Sequence, residues 1–373
     1  MPITVKQVLT KAEMKLFVYL PETIHAQHKN WVPPFYADDA KSFDPKHNLS
    51  HAYCDSVYAI AWEDGKPVGR IAGVINKRYN EHAGVQKARF AYLEVPERLD
   101  IVQALLAFAE DWARKMGMKT IIGPMGFTEE DPEGLIIEGF DETTNLATIQ
   151  NFPAVPGYVE QCGYKKEVDY FVYKVDIANA ITDFYRKAYL RVLRNKDLRL
   201  IQFKNKREIK QWILPVFRLM NESFVNLYGY TPFSEPEMLQ LAHRYLPGID
   251  HRFIQCCVNS QNELIGFVVG IPNMSPGIAK AKGRLFPFGF LHILSAQKHS
   301  QKLDVYLGAI KESYRGKGVD VLMGYNFLEK AQKAGFKWLD SHHELEVNTQ
   351  MRSEMERVGG KIYKKYRIYT KDL

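Results

Sequence analysis

The chain repeats itself, and this repeat limits its possible folds more than any single motif does. The stretch from Gly163 to Asp176 lines up with that from Gly359 to Asp372 under one constant offset, which places Tyr170 on Tyr366 and Tyr173 on Tyr369. Upstream, Gly117–Gly123 falls on Gly335–Ser341. Each of these follows a helical run with one apolar face, Val102 to Met116 and Val321 to Ala334. Earlier still, Tyr58–Ile75 matches Phe253–Ile271, and both read as two strands joined by a short polar turn. Each half therefore predicts helices, a hairpin, a strand, a helix, a strand, a helix and a closing strand pair. This is an α/β (α+β) order with a mixed central sheet flanked by helices. The repeat predicts domains at 1–177 and 198–373 joined by a helical linker at 178–197, and 373 residues is a length for two domains rather than one.

Local signals agree. The first half opens on a strand-like Ile3–Val8, then Thr10-x-x-Glu13, a capping box that starts a helix. The second opens on Leu198–Phe203, followed by a long amphipathic helix from about Lys206 to Leu227 and another over Glu235–Tyr245. With 46% hydrophobic and 25% charged residues the composition is that of a soluble globular protein. No apolar run approaches the roughly 20 residues that span a bilayer, which argues against integral membrane association. Met1–Lys6 shows no cationic lead before an apolar stretch, so no secretory signal is expected. Four cysteines without a Cys-x-x-Cys spacing predict buried thiols in a reducing cytoplasm. The net charge of +7 is spread along the chain, which suits an anionic cofactor and argues against a DNA footprint. His342-His343-Glu344 has metal-ligating residue types. As adjacent strand residues the two histidines point to opposite faces and cannot chelate together, so no metal site is expected.

The two copies are not equivalent. In the second, the buried strand Val305–Ile310 leads into Lys311–Val319, where Gly316 and Gly318 precede an apolar helical run. Strand, glycine turn and helix start bring backbone N–H groups together on an anion, and Arg315 and Lys317 add positive charge. In the first copy, Phe90–Val95 is followed only by Pro96–Asp100 before its helix, with no glycine and no basic pair. The first copy instead carries an insertion over Gly123–Asp141. Lys280–Leu294, inserted in the second copy, joins a basic lead to an apolar run. Such a segment packs on the core, lines an acyl or aromatic pocket, or touches a membrane surface.

Tyr314–Asp320 resembles the pyrophosphate loop of the GNAT acyltransferase superfamily, whose pattern is Arg/Gln-x-x-Gly-x-Gly/Ala; here Asp320 stands in the last place. With Gly69-Arg70-Ile71, Asn76, Asn80, Gly123–Phe127, Gly139–Asp141 and Gly283–Gly289, the chain resembles a bacterial family of acyl-CoA N-acyltransferase type over most of its length. The resemblance implies tandem GNAT-like domains and acetyl-CoA or another acyl-CoA as co-substrate, with no metal. Leu307, Gly308, Ala309 and Ile310 would hold the pantetheine. Arg315, Gly316, Lys317, Gly318 and Val319 would hold the pyrophosphate. Asn348 is either a cofactor-side residue or the N-cap of the helix that follows. Met355 stands where the family often has the tyrosine that protonates the leaving thiolate. Glu344 and Glu346, two apart on a strand, share a face that is either cleft or solvent. Glu346 is taken as the candidate base and Tyr314 as the candidate acid, with Tyr306 and Tyr363 as further hydroxyls. The function implied is transfer of an acyl (first of all acetyl) group to the amine of a small-molecule or peptide acceptor, at one site in the C-terminal half. A transferase fed by aminoacyl-tRNA or acyl carrier protein and a non-catalytic metabolite sensor share the same fold.

Overall fold

The computed structural model describes residues 2–145 and 148–373. The first copy contributes β1 (Thr4–Gln7), β2 (Cys54–Glu63), β3 (Lys66–Asn76), β4 (Lys87–Glu94), β5 (Thr120–Gly123), β6 (Leu135–Glu138) and β7 (Lys165–Asp176). The second contributes β8 (Arg199–Ile201), β9 (Ile254–Val258), β10 (Leu264–Pro272), β11 (Lys302–Ile310), β12 (Trp338–Asp340), β13 (Glu344–Leu345) and β14 (Lys361–Asp372).

Both expected hairpins form. Between β2 and β3 the central turn residues Asp64 and Gly65 sit at φ 51° and 75°, the hand that matches strand twist. The capping box is present: Thr10 Oγ1 accepts the Glu13 N–H, and the Glu13 carboxylate accepts the Thr10 N–H at 2.9 Å. The long helix expected over Lys206–Leu227 is instead broken into Lys206–Ile209, a 3₁₀ turn over Lys210–Trp212 and Ile213–Phe224. Pro215 is the physical reason. It has no N–H to give the carbonyl four residues earlier, so a continuous α-helix loses a rung at that point.

The compact units are not the two sequence copies. One comprises the chain up to Phe171 together with Met274–Ala296 and Tyr363–Leu373; the other comprises Val172–Asn273 and Gln297–Ile362. In the first unit the strand order is β1-β2-β3-β4-β5-β14, with Tyr369 opposite Gly123 and Asp372 opposite Thr120. In the second it is β7-β12-β11-β10-β9-β8, with Trp338 opposite Asp176. Each unit is thus completed by the closing strand of the other copy. The repeat at 1–177 and 198–373 divides the sequence; the exchanged units divide the structure. The stretch at 178–197 is helical over Asp183–Val192 and packs within the second unit, where Tyr189 stacks on Tyr325 with centroids 4.0 Å apart.

The helix Leu99–Lys115 covers the first sheet, burying Ile101, Val102, Leu105 and Leu106 completely. Two buried polar groups in this unit are notable. Burial drives the Glu94 carboxyl upward, but His25, whose Nε2 lies 2.6 Å away, and Arg70 overcome it and hold the group below its usual value. For Glu133 burial wins: it pushes the carboxyl from 4.5 up to about 8, outweighing the Tyr170 hydrogen bond and the Arg89 charge, which act to lower it. Its native form binds a proton that the unfolded chain releases near pH 4.5, so its contribution to stability falls as pH rises from there toward about 8. Glu133→Gln is expected to flatten that slope, read as the midpoint of urea unfolding at pH 5 and 8.

Candidate active site

In the second unit two strands part, and the one that runs on leads into a glycine turn. β11 pairs with β12 only over Lys302–Asp304, whose partners are Trp338–Asp340. Beyond Asp304 it stays bonded to β10 alone: Leu307 faces Val269, Gly308 faces Val268, Ala309 faces Phe267 and Ile310 faces Gly266. Among the described residues no strand pairs with the opposite edge of Leu307–Ile310. A bulge re-aims β11 here, because Val269 and Gly270 face Leu307 and Val305 and so leave Tyr306 as the extra residue. The first copy is bulged in the same region. Arg70 and Ala72 face Glu94 and Ala91, and Tyr92 takes φ 51°.

After β11, Gly316 (φ 72°) and Gly318 (φ 89°) bend the chain into the helix Val319–Lys333. Gly318 is its N-cap, without a side-chain cap bond, so the first N–H groups are turned toward the loop. Val319 is fully buried and fits against Gly266, where a Cβ would lie 2.8 Å from Val319 Cγ1. Arg315 and Lys317 are exposed beside this turn. A carboxylate at a phosphate site is unfavourable, but Asp320 is drawn to Arg357 on the later helix, 3.7 Å away. Gly318 also has a structural reason. A Cβ there would lie 2.5 Å from Val192 Cγ2, so Gly318 fits the fold whether or not a phosphate approaches.

Other sequence candidates separate. The Tyr314 hydroxyl accepts from Asn259 Nδ2 at 3.2 Å and donates to Asp197 at 3.3 Å, which fastens the turn to the neighbouring hairpin. Asn348 Oδ1 accepts the Met351 N–H at 3.2 Å and caps the helix Thr349–Arg357. Glu344 and Glu346 do not share a strand face as expected, because β13 ends at Leu345. The Glu346 carbonyl receives Arg352 Nη1 at 2.9 Å, and Arg352 is tied in turn to the Tyr173 hydroxyl.

The histidines also depart from expectation. They lie between β12 and β13 rather than on a strand; His342 takes φ 58°, and the two rings stack with centroids 4.8 Å apart. His342 in turn meets Tyr306, the bulged residue of β11, at 5.5 Å. Next in sequence, Glu344 retains some exposed surface but sits deep in the protein mass, and burial pushes its carboxyl well above the ordinary carboxylate range. Tyr306 and His342, with His343 stacked on His342, thus flank the place where the strands part, and Glu344 follows on β13, which pairs with β7. On a strand His342 and His343 would face apart; in the loop they stack, and His342 reaches Tyr306. The signal that could have found this contact is position, immediately after the strand that pairs beside the glycine-turn strand. Among the described residues no group of three or more His, Cys, Asp or Glu could hold a metal, and no helix is long and apolar enough to cross a membrane. Cys256 and Cys257 are buried, which pushes their thiols up to about 12 and about 11.

The first unit lacks this arrangement. β4 pairs with β5 over Lys87–Arg89, and past that point the chain fills its own gap. Gly123–Phe127 runs in beside β4, with the Met125 N–H donated to Phe90 O at 2.9 Å and both Met125 and Phe127 fully buried. Arg98 caps the following helix without a side-chain bond and is paired with Glu63 and Asp100.

Parted central strands, a bulge and a glycine turn opening a helix in the second copy, with a bulged but self-filled counterpart in the first, are the features of a tandem GNAT fold, and the chain has that fold. A tandem GNAT protein from the clavulanic acid biosynthesis pathway superposes over 99% of this chain and 98% of its own, with a TM-score of 0.57 at 13% identity. A GCN5-related N-acetyltransferase from Sphaerobacter thermophilus gives 0.51 at 12% identity, covering 99% of this chain and 95% of its own. In sequence, the chain is 28% identical to a bacterial ceramide synthase of Caulobacter vibrioides over 100% of this chain and 98% of that protein. It is 26% identical to Protein YghO of Escherichia coli over 99% and 95%. No family model matches the chain.

Proposed function

We propose that the chain is an N-acyltransferase that takes an acyl group from an acyl-coenzyme A and places it on the amine of a long-chain amino alcohol. The parting of β11 from β12 ahead of the Gly316–Gly318 turn carries this reading. Leu307–Ile310 offers backbone groups to the pantetheine, and Arg315, Lys317 and the Val319 helix start face the pyrophosphate. On this reading the thioester lies near Tyr306 and His342, with Glu344 two residues further along the chain. Glu344, its carboxyl raised well above the ordinary range by burial, takes in its ionised form the proton of the attacking amine as the new C–N bond forms. The C–S bond breaks, and Tyr306 and His342 are the proton donors on the sulfur side. The acceptor class rests on the full-length similarity to the bacterial ceramide synthase, since a ceramide is an N-acylated long-chain amino alcohol. Acetyl is then replaced by a longer acyl group as the favoured donor.

The one-site part of this reading has a direct test. Arg315 and Lys317 are exposed, so the double variant Arg315→Glu/Lys317→Glu is expected to fold normally, within about 0.5 kcal/mol. Losing two charge-assisted contacts should weaken coenzyme A binding by at least about tenfold in calorimetry. Asp100→Ala in the first unit should leave the dissociation constant unchanged. Equal losses at both places would refute a single site. Gly318→Val is a poor probe because its clash with Val192 would disturb the fold itself.

A further inference from the structure

The inserted segment that follows β10 belongs to the first unit and carries a run of outward apolar side chains. Phe286 is 81% exposed and Phe288 68%, followed by Phe290, Leu291 and Leu294 on the helix Gly289–His299. Soluble proteins seldom display five large apolar side chains within nine residues without a use for them. The segment's inner side is firmly fastened, so this exposure is built in. Gly283 O accepts the Tyr36 N–H, and a Cβ on Gly283 would lie 2.2 Å from Pro34 O. Arg284 makes two bonds to Glu22, at 3.0 and 2.7 Å, and lies over the Tyr19 and Tyr36 rings. Ile278 and Ile293 are buried beneath.

Charge identifies the partner. From Ser275 to Ser300 there is no Asp or Glu, whereas Lys280, Lys282, Lys298 and His299 are exposed in the same segment. A flat protein partner would not require cationic side chains beside wedge-like phenylalanines; an anionic bilayer surface matches both features.

We propose that Phe286, Phe288, Phe290, Leu291 and Leu294, with Lys280 and Lys282 beside them, dock the protein peripherally on an anionic phospholipid surface. The phenylalanines enter the headgroup–acyl boundary and the lysines meet the lipid phosphates. The inference stands on this patch and does not depend on the acyl-transfer reading, although a long-chain acceptor would be found at the same surface.

Vesicle flotation of the full chain tests it, with vesicles of phosphatidylcholine alone or of equal parts phosphatidylcholine and phosphatidylglycerol. The wild type is expected to float with the phosphatidylglycerol vesicles and to be released by high salt. Phe286→Ser/Phe288→Ser should lower the partition by on the order of tenfold, and Lys280→Glu/Lys282→Glu by a similar factor. Melting curves should be unchanged, because these side chains face solvent. Failure of the wild type to float, or flotation unaffected by the phenylalanine changes, overturns the proposal. So does a wild-type dimer in size-exclusion chromatography that Phe286→Ser/Phe288→Ser makes monomeric, because the patch would then be a self-association surface.

Discussion

Glu344→Gln is expected to abolish most of the acyl transfer while leaving the protein as stable as before, or more so. Replacing a general base typically lowers kcat by about 10²- to 10⁴-fold. The stability side follows from the sign of the shift. The folded-state pKa of Glu344 lies well above 4.5, so above that pH the native state holds a proton the unfolded chain has released. Wild-type stability therefore declines as pH rises through this window, whereas a glutamine is neutral throughout. At pH 8 the variant should melt at or above the wild-type temperature while turnover is nearly lost, and the ascending limb of the wild-type pH–rate profile should disappear. Glu346→Gln is the matched comparison: it lies beyond the end of β13 and should keep most of the activity. Full turnover by Glu344→Gln, measured with a long-chain amino alcohol and an acyl-coenzyme A, would remove Glu344 from the mechanism. If Glu346→Gln alone were inactive, the original choice of Glu346 would be restored.

The second large effect concerns the exchanged strands. Tyr369 is fully buried in the core of the first unit, pairs opposite Gly123 and donates its hydroxyl to Glu160 at 3.2 Å. Tyr369→Ala should cost about 3–5 kcal/mol, a large share of the roughly 5–15 kcal/mol that holds a domain together. The loss should appear at the opposite end of the chain from the mutation. Hydrogen exchange should accelerate over Thr120–Gly123 and the Leu99–Lys115 helix, which share that core. Removing Tyr363–Leu373 should unfold the first unit outright, since Tyr366 and Ile368 are also fully buried. A truncated chain whose first unit keeps its protection would contradict the exchange. The same logic expects a fragment of residues 198–373 to be unstable on its own, because the strand beside β12 is supplied by β7.

Much of the fold was written into local patterns. The Thr10–Glu13 box, the Asp64-Gly65 turn and the strand–glycine turn–helix order over Val305–Lys333 depend on neighbours in sequence, and they form as the sequence implies. The inequality of the copies was legible as well, since only the second has Gly316 and Gly318. Interactions between distant residues escaped. The break before Pro215 lay inside a pattern whose apolar spacing alone looked continuous. Glu344 and Glu346 were indistinguishable while both were treated as strand residues; only the end of β13 and the depth of one carboxyl separate them.

The sequence by itself determined most of the element types, the repeat, the tandem order and the location of the glycine turn before a helix, because periodicity, turn chemistry and capping act over a few residues. Only the tertiary structure decided which closing strand completes which sheet. β7 and β14 carry the same pattern of buried tyrosines, and nothing local distinguishes the place beside β5 from the place beside β12. It also decided that Gly318 serves packing against Val192, that Asp320 turns to Arg357, and that Tyr306 meets His342 where the strands part. Each of these depends on burial and on pairs far apart in the chain, which no local pattern encodes.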